Sequence, residues 1–343
     1  MTSINIGFIG AGPVTQAIHL PAIATLAGQF RTTRVMDVNP VVAEEVARRY
    51  GAVPSTDAEA VLSDPSVEVV AICSPNAFHA EQVIRACRAG KKAVLCEKPL
   101  AVSMTEAKDI RAAAAASGTA IFVGTMHAYD PAYRAGLAAW RATGDVAFQV
   151  RNAIFLPSND VFVDQATELV KPEVVEYPSR EPIRPTHAAL MRGAMLGLAI
   201  HDLPLVRDFQ PEAGRLAWAH FLPPFGYAIV TATEACTTEL TAVVPGLWPS
   251  KWTFEAIGGT HRLHADMPPS YVMAGSATVS LHGPEGTTVF HYPKNGYQVL
   301  WEEIGLSVRD GAPASIPLDT AIEDLAFALT LADGAEALLE NAV

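Results

Sequence analysis

The first third of the chain alternates between short apolar runs and stretches with helical periodicity, and this alternation restricts the fold more than any other feature of the sequence. The run at residues 67–73 is continuous and β-branched, which is typical of a strand buried on both faces of a parallel sheet. Strands that alternate with helices of this length form βαβ units. The sequence therefore predicts a doubly wound α/β sheet, with strands at residues 4–9, 34–37, 67–73, 93–96 and 120–123.

The pattern changes after about residue 126. Alternating segments at residues 227–233, 237–243 and 252–257 follow one another without helices between them, and successive strands of this kind pair antiparallel. Residues 193–209 have the pattern of one continuous helix. We therefore predict an α+β organisation for the rest of the chain, with a large, mainly antiparallel sheet.

Two domains follow from this change of pattern, since 343 residues exceed what one hydrophobic core usually serves. We expect an α/β domain over residues 1–125 and an α+β domain over residues 126–343. A capping box begins a closing helix at about residues 320–340. This last helix is expected to pack back toward the first domain.

The composition excludes several classes of protein. Half of the residues are hydrophobic and the net charge is −12, so dominant disorder is excluded, and nucleic acid is not an expected partner because its phosphates need cations on the protein. The four cysteines form no CxxC pair, which argues against a metal site or a disulfide framework. No basic leader or membrane-length apolar run is evident. We expect a cytoplasmic protein with a small-molecule ligand, no metal and no membrane partner.

A glycine-rich turn, Gly10-Ala11-Gly12-Pro13-Val14, lies between the first strand and the first helix. Gly10 permits the tight turn, and Gly12 lets the backbone approach a pyrophosphate that the helix N-terminus stabilises. Pro13 suits the first helical turn, where its missing N–H leaves nothing unsatisfied. The third glycine of the fingerprint is replaced by threonine. The context of the turn still predicts a Rossmann dinucleotide-binding domain that contacts its cofactor through Gly10, Gly12, Pro13 and Val14.

Asp37 stands at the end of the second strand, where a carboxylate accepts hydrogen bonds from the adenosine ribose. The same carboxylate would repel a 2′-phosphate, and Val38 and Asn39 supply no compensating cation. NAD is therefore favoured over NADP. The choice stays open at this point, because Arg34 or another arginine could approach the ribose in space.

Two further segments follow strands at the same edge of the predicted sheet, Ser74-Pro75-Asn76-Ala77-Phe78-His79 and Glu97-Lys98-Pro99-Leu100. With the glycine turn, they resemble the glucose–fructose oxidoreductase, inositol dehydrogenase and rhizopine catabolism (Gfo/Idh/MocA) family of NAD(P)-dependent oxidoreductases, which has a Glu-Lys-Pro motif after its fifth strand. The resemblance implies a second domain that binds substrate and associates through its sheet, so we expect a homodimer or homotetramer. It also implies that further residues contact the cofactor, namely Ser74, Asn76, His79, Glu97 and Lys98.

The resemblance implies hydride transfer between nicotinamide and a secondary hydroxyl or carbonyl of a sugar, polyol, inositol or glycoside. A lysine beside the reacting oxygen stabilises the negative charge that develops there and relays the proton, which is the role expected for Lys98. The family also has an Asp and a His one helical turn apart. His201 matches that histidine and is expected to take part in proton transfer, but Gly197 stands at the Asp position. In a continuous helix Asp202 points about 100° away from His201 and cannot replace it.

The glycine leaves several explanations open. His201 is oriented by another group or by water while Lys98 carries more of the proton transfer, or the space at Gly197 admits a bulkier substrate, or efficient catalysis has been lost. Two residues after the sixth strand, His127 and Tyr129, suit polyol hydroxyls but suit packing between domains equally well. His187 lies in a proline-rich irregular stretch that could cover the substrate or could be solvated loop.

Three functions remain open from the sequence. The first is an NAD(P)-dependent sugar or polyol dehydrogenase. The second is a lyase that retains NAD and cleaves glycosides through transient oxidation. The third, which the missing aspartate at Gly197 permits, is a non-catalytic protein that binds the cofactor as a sensor.

Overall fold

The computed structural model describes residues 3–26, 28–171, 185–246 and 248–340. Within these residues the chain forms two compact units. Each unit is assembled from three separate segments of the chain. The segments of the first unit are residues 3–124, 163–171 and 300–322, and those of the second are residues 125–162, 185–299 and 323–340.

The first unit contains a six-stranded parallel sheet, whose strands are β1 (Ile4–Ile9), β2 (Phe30–Met36), β3 (Val53–Ser55), β4 (Val69–Ile72), β5 (Ala93–Cys96) and β6 (Ala120–Val123). The strand order is β3-β2-β1-β4-β5-β6, so it reverses between β1 and β4. Ligands of open α/β sheets bind beyond the carboxyl ends of the strands at such a reversal. The doubly wound fold that the alternation predicts is confirmed.

Helices connect these strands: a π-helical turn Thr15–His19 that continues into α1 (Leu20–Thr25), then α2 (Pro40–Tyr50), α3 (Glu59–Leu62), a 3-10 turn Asn76–Phe78, α4 (His79–Arg88) and α5 (Met104–Ser117). The ends of α2 show how local sequence sets such boundaries. The Asn39 side chain accepts hydrogen bonds from the backbone N–H groups of Val41 and Val42. At the other end Gly51 adopts a left-handed φ of 65°, which ends the helix.

The second unit is an α+β structure. Its helical part consists of a 3-10 turn Met126–Tyr129, α6 (Pro131–Thr143), α7 (Asp160–Ala166), α8 (His187–Gly197), a 3-10 turn Ala199–His201 and α9 (Leu203–Arg207). Its strands are β7 (Ala147–Phe155), β8 (Arg215–Phe221), β9 (Gly226–Ala232), β10 (Thr237–Val243), β11 (Lys251–Gly258), β12 (Arg262–Asp266), β13 (Thr278–Gly283) and β14 (Gly286–Phe290). Two closing helices, α10 (Gly296–Asp310) and α11 (Leu318–Glu340), contain residues of both units, as does α7.

The eight strands of the second unit form one sheet in the order β14-β13-β12-β11-β7-β10-β9-β8. β7 and β10 pair parallel, and every other pair is antiparallel. Along β7 the side chains of Val150, Asn152 and Ile154 are buried, whereas the residues between them point to the opposite, more open face. The predicted large, mainly antiparallel sheet is confirmed.

One predicted element is wrong in its continuity. Residues 193–209 do not form a single helix, because α8 ends at Gly197 and Leu198 leaves ideal helical geometry with φ −112° and ψ −58°. A 3-10 turn and the short helix α9 follow. Gly197 is a weak helix former, and Pro204 supplies no N–H to a helix that would run through it, so both residues favour this break. The 100° relation between His201 and Asp202 in a continuous helix therefore does not apply.

Candidate active site

The glycine turn of the first unit has the geometry that its sequence predicts. Gly10 has a φ of +92°, and a Cβ there would lie 2.6 Å from the carbonyl oxygen of Cys73, so the position requires glycine. A Cβ at Gly12 would have no described atom within 4 Å. Thr15, which replaces the third glycine, is buried and its hydroxyl donates to the Gly10 carbonyl at 2.6 Å. The turn therefore keeps its shape, with an open backbone surface at Gly12.

A cavity of about 740 Å³ lies over this turn at the carboxyl ends of β1, β2 and β4. Gly10, Gly12, Asp37 and Ser74 line it, as predicted for cofactor residues, and Asp57 adds a second carboxylate. None of the described residues that line the cavity is a lysine or an arginine. These groups fit a nicotinamide dinucleotide, with backbone at the pyrophosphate and a carboxylate at the adenosine ribose.

Asp37 is held in place by backbone groups on both sides. Its Oδ2 accepts from the Ala11 N–H at 2.9 Å, and its Oδ1 accepts from the Asn39 N–H at 2.9 Å. Arg34, the arginine that could have favoured NADP, donates from Nε to Asp64 Oδ2 at 2.7 Å. Hydrogen bonds from Ser66 and Arg34 hold the pKa of Asp64 at about 2, so the arginine has a charged partner.

The other residues expected at the cofactor occupy different environments. Pro13 is exposed, Val14 is half-buried, and Asn76 is exposed on its 3-10 turn. His79 is fully buried, with Nδ1 2.7 Å from the Pro99 carbonyl oxygen and Nε2 2.8 Å from the Ser74 carbonyl oxygen. This arrangement ties His79 to the two loops that follow β4 and β5.

Glu97 and Lys98 follow β5, and Glu97 has a buried partner that the sequence did not indicate. The Nε2 of His19 lies 2.8 Å from Glu97 Oε1, and the Lys98 backbone N–H donates to Glu97 Oε2 at 3.2 Å. A Cβ at Gly124 would lie 2.6 Å from Glu97 Oε1, so glycine there leaves room for the carboxylate. Glu97 therefore orients the backbone of Lys98 and is itself oriented by His19.

His19 is fixed in turn by Trp301. The indole N–H of Trp301 lies 3.2 Å from His19 Nδ1, and because an indole only donates, Nδ1 is the acceptor and Nε2 carries the proton that faces Glu97. Burial lowers the pKa of His19, but the charges and hydrogen bonds of Cys73 and Glu97 raise it to about 10 overall. The Trp301 indole N–H, which donates to Nδ1, acts against a second proton on the ring.

The charge of Lys98 is tuned by the same surroundings. Burial lowers the pKa of the Lys98 ammonium, and the Glu97 carboxylate acts in the opposite direction, with a net lowering. Burial raises the pKa of Glu97, but the hydrogen bond from His19 and the charges nearby lower it overall. A lysine with a lowered pKa beside a fixed carboxylate is suited to proton transfer.

The second unit contains a buried polar group that we call the Asp202 cluster, consisting of Asp202, His127, Asn152 and Trp252. Asp202 Oδ1 lies 2.5 Å from His127 Nδ1. Its Oδ2 accepts from Asn152 Nδ2 at 2.7 Å and from Trp252 Nε1 at 2.5 Å. The sequence interpretation gave Asp202 no orienting role, and the structure corrects this: Asp202 orients His127.

His201, the histidine expected in proton transfer, is buried beside this cluster. Its ring centroid lies 6.2 Å from that of His127 and 5.5 Å from that of Trp252. A Cβ at Gly197 would have no described atom within 4 Å, so the position of the missing aspartate is open. The structure thus brings His127 and His201 together and leaves space at Gly197.

Two other substrate candidates lie in different surroundings. Tyr129 is buried in the core of the second unit, under the Arg134 guanidinium at 5.0 Å from its ring. His187 is exposed at the start of α8 and stacks on Phe221, with ring centroids 4.7 Å apart. Of the proline-rich stretch that was considered as a substrate cover, residues 172–184 lie outside the described residues.

Across the described ranges, no group of three or more His, Cys, Asp or Glu side chains is arranged to hold a metal ion. In the same part of the chain, no helix combines the length and the apolar character needed to cross a bilayer. All four cysteines are free thiols.

Sequence comparisons support the first unit strongly. Residues 4–125 match the GFO_IDH_MocA family model, described as "Oxidoreductase family, NAD-binding Rossmann fold". The chain is 38% identical to an inositol 2-dehydrogenase of Pseudomonas savastanoi pv. phaseolicola over 39% of its own length and 40% of that protein. It is 40% identical to a levoglucosan dehydrogenase of Pseudarthrobacter phenanthrenivorans over 32% of its length and 29% of that protein.

A longer but weaker match extends into the second unit. An inositol 2-dehydrogenase of Acidothermus cellulolyticus is 32% identical over 60% of this chain and 62% of that protein. These curated relatives are therefore matched over less than two thirds of their own length.

Solved structures share the fold over nearly the whole chain. A 3-ketoreductase from Actinomadura kijaniata, solved with NADP and TDP-benzene, is 20% identical, with a TM-score of 0.73 over 98% of this chain and 97% of that one. A putative NADPH-dependent oxidoreductase from Desulfitobacterium hafniense has a TM-score of 0.76 at 16% identity, over 98% and 97% of the two chains. The resemblance read from Glu97-Lys98-Pro99 is thus confirmed over residues 4–125, which match the model of the Gfo/Idh/MocA oxidoreductase family.

Proposed function

We propose that this protein is an NAD(P)-dependent dehydrogenase that moves a hydride between nicotinamide and a secondary hydroxyl or carbonyl of a sugar, polyol, inositol or glycoside. The observation that carries the proposal is the dinucleotide cavity at Gly10 and Gly12, together with Lys98 and its lowered pKa at the end of β5. Matches to inositol 2-dehydrogenase, levoglucosan dehydrogenase and 1,5-anhydro-D-fructose reductase support this substrate class. When bound, the nicotinamide supplies the hydride acceptor or donor.

We propose NAD as the preferred cofactor. Asp37 and Asp57 both line the cavity, and a 2′-phosphate would bring its negative charge toward them. Arg34 is engaged by Asp64. Initial rates with NAD and NADP at equal concentrations test this, and Asp37→Ser is expected to reduce the preference for NAD. A wild-type enzyme that prefers NADP would contradict it.

Lys98 and His201 are the residues proposed for proton transfer. Lys98 stabilises negative charge on the reacting oxygen and relays its proton, because burial makes the neutral amine accessible at lower pH than for a free lysine. His201 is the second group, at the position that resembles the family histidine, and Gly197 leaves room for a substrate larger than a simple monosaccharide.

The test is a polyol panel, which consists of myo-inositol and levoglucosan with NAD, and 1,5-anhydro-D-fructose with NADH. Net change in reduced nicotinamide supports the dehydrogenase. Turnover of a glycoside without net NADH would favour the NAD-retaining lyase, and binding of NAD without any turnover would favour the sensor. Lys98→Met is expected to lower kcat by about 10²–10⁴-fold. Lys92→Met, on a surface lysine paired with Glu68, is the matched control.

We also propose a homodimer or homotetramer that forms through the open face of the eight-stranded sheet. Ala153, Thr241 and Thr253 lie side by side at the centre of that face and are only half-buried in the chain. Small and β-branched side chains in such a position suit contact with another sheet. Light scattering on the purified protein tests the association, and a monomer would contradict it.

A further inference from the structure

Several buried polar atoms of the second unit lack a hydrogen-bond partner among the residues that the structure describes. Three of them belong to residues near Asp202, namely His127 Nε2, Asn152 Oδ1 and Tyr227 Oη. Two of these side chains already bind Asp202 through their other polar atom. The third, Tyr227, is fully buried, and burial together with the Asp202 charge raises its pKa. Buried polar groups are almost always paired, so a cluster of such atoms around one carboxylate needs an explanation.

The hydrogen bonds at Asp202 determine which nitrogen of His127 is available. Trp252 Nε1 and Asn152 Nδ2 can only donate, and both bind Oδ2. Oδ1 is left as the acceptor for His127 Nδ1–H at 2.5 Å. The proton of a neutral His127 therefore resides on Nδ1, and Nε2 presents a lone pair. A carboxylate that fixes the tautomer of an imidazole in this way also stabilises the imidazolium that forms when Nε2 takes a proton.

The chemistry of the unpartnered atoms matches a hydroxyl group. His127 Nε2 and Asn152 Oδ1 accept hydrogen bonds, and the Tyr227 hydroxyl both donates and accepts. An alcohol O–H can donate to one of the acceptors while its oxygen accepts from the tyrosine. A small cavity of about 20 Å³ beside His127 has room for one hydroxyl or one water. Loop residues Pro268–Ser270 also line it, whereas Asn152 and Tyr227 are not among its described lining residues.

We propose that His127, held by Asp202 as its positioning residue, is the imidazole that accepts the substrate proton, with Asn152 and Tyr227 binding the substrate hydroxyls. This proposal rests on the proposed dehydrogenase function and assigns to His127 the role that the family resemblance suggests for His201. Gly197 stands where the family has an aspartate one helical turn before its histidine. The Asp202–His127 pair supplies a carboxylate–imidazole contact of the kind that is missing there.

The proton and electron balance of the step is complete. The alcohol O–H bond breaks, and its proton moves to His127 Nε2. The electron pair of that bond forms the C=O double bond as the hydride leaves the same carbon with its own electron pair. The hydride reduces NAD to NADH, so the alcohol is oxidised by two electrons and one proton stays on the imidazole.

Substitution of each histidine separates the two candidates. Asn at position 127 keeps an N–H donor for Asp202 and removes the Nε2 base. His127→Asn is expected to lower kcat by about 10²–10³-fold with little change in KM. His201→Asn is expected to lose less than tenfold. His220→Asn, on an exposed histidine that stacks with Trp218, is the control. A loss confined to His201→Asn overturns the proposal.

A second measurement uses the wild-type protein, so it requires neither turnover nor a correctly folded variant. In wild-type protein with ¹⁵N-labelled histidine and bound NAD, His127 is expected to be the Nδ1–H tautomer, and myo-inositol or levoglucosan at saturation is expected to shift its Nε2 resonance. An Nε2–H tautomer overturns the proposal. So does an Nε2 resonance that stays unchanged when the enzyme binds a polyol that it oxidises, because Nε2 would then bind a buried water and not the substrate. If no member of the polyol panel binds or reacts, the proposed dehydrogenase function is wrong. The tautomer of His127 then tests only whether Asp202 orients the imidazole.

Discussion

Single residues show how the first unit controls the charge of its lysine. Glu97 is oriented by His19, and His19 by Trp301, so three buried side chains behind Lys98 form one connected set. Burial lowers the pKa of Lys98 and Glu97 opposes that effect. The protonation of Lys98 at a given pH therefore depends on residues that a substrate need not touch.

Replacing Glu97 by glutamine removes the negative charge that raises the pKa of Lys98. Because burial remains, the pKa of Lys98 is expected to fall further, and the limb of the pH profile of kcat/KM that belongs to Lys98 is expected to move to lower pH. Profiles of wild type and Glu97→Gln from pH 5 to 10 measure the direction. Lys98→Met has no amine to titrate at this position, so the limb of the pH profile that disappears in this variant belongs to Lys98. Movement to higher pH would show that Glu97 does not support the charged lysine.

The site residues that could be inferred from the sequence alone are those whose geometry depends on their chain neighbours. Gly10 and Asp37 follow from a strand, a turn and the next strand, all within the first 37 positions. The contact of His127 with Asp202 joins residues 75 positions apart, and that of His19 with Glu97 joins residues 78 apart. Such pairs are created by tertiary packing, and no local pattern contains them.

Among the elements, the break between α8 and α9 has the most consequence for the site. A continuous helix would have fixed His201 and Asp202 on different sides. Instead the backbone leaves helical geometry at Leu198, and Asp202, with φ −113°, precedes α9 and reaches His127. The periodicity of residues 193–209 was helical, but periodicity does not report where a glycine and a proline interrupt the hydrogen bonds.

Alanine substitutions at Gly197 and Gly296 of the second unit are expected to change the free energy of unfolding in opposite directions. Gly197→Ala adds a Cβ with no described atom within 4 Å, so the free energy of unfolding is expected to rise by up to about 1 kcal/mol. At Gly296, a Cβ would lie 1.9 Å from the Met126 carbonyl oxygen. Gly296→Ala is expected to lower the free energy of unfolding by about 1–3 kcal/mol. Urea unfolding of the two variants beside wild type measures both, and equal effects would contradict the geometry.

The turn between β11 and β12 is held by one carboxylate. Asp145 accepts from the backbone N–H groups of Gly259, Thr260 and His261 and from the Thr260 hydroxyl, at 2.8–3.1 Å. The hydrogen bond from the Thr260 N–H and those from the other donors hold the pKa of Asp145 well below its usual value, although burial acts to raise it. Asp145→Asn is expected to cost about 1–3 kcal/mol of stability at pH 7.

The pH dependence of that cost has a definite sign. A carboxylate with a lowered pKa in the folded protein contributes stability that is complete above its unfolded pKa of about 4 and is lost as the pH falls toward the folded value. The stability difference between wild type and Asp145→Asn is therefore expected to shrink between pH 5 and pH 2. Urea unfolding across this range tests it, and a constant difference would exclude the charge as the cause.

At the scale of the whole molecule, we expect copies of the chain to associate through the open face of the eight-stranded sheet. Thr241→Lys puts a charge at the centre of the open face of the eight-stranded sheet, beside Ala153. If copies associate through this face, the variant is expected to be smaller than wild type by light scattering, with circular dichroism unchanged. Thr105→Lys, on an exposed position of α5, is the matched control. Equal masses for Thr241→Lys and wild type would exclude this interface.

The fold class of both units was predictable because it depends on the order of strands and helices along the chain. The bounds of β1, β5, β6 and β10 agree with the sequence pattern residue by residue. The parallel pairing of β7 with β10 was not predictable, since 81 residues separate Phe155 from Thr237 and nothing local selects the partner. The expected domain limits and the packing of the last helix remain predictions.

The place of Trp301 in the first unit has a consequence for how the protein is made. Its indole packs against Phe8, Phe30 and His19, with ring centroids 5.5–6.3 Å apart. Trp301 emerges 177 positions after Gly124, the last residue of the unit's first segment. At synthesis rates of about 5–20 residues per second, the nascent nucleotide-binding unit waits roughly 9–35 s with that part of its core uncovered. During this interval we expect the ribosome-bound chain to expose apolar surface of the kind that chaperones bind.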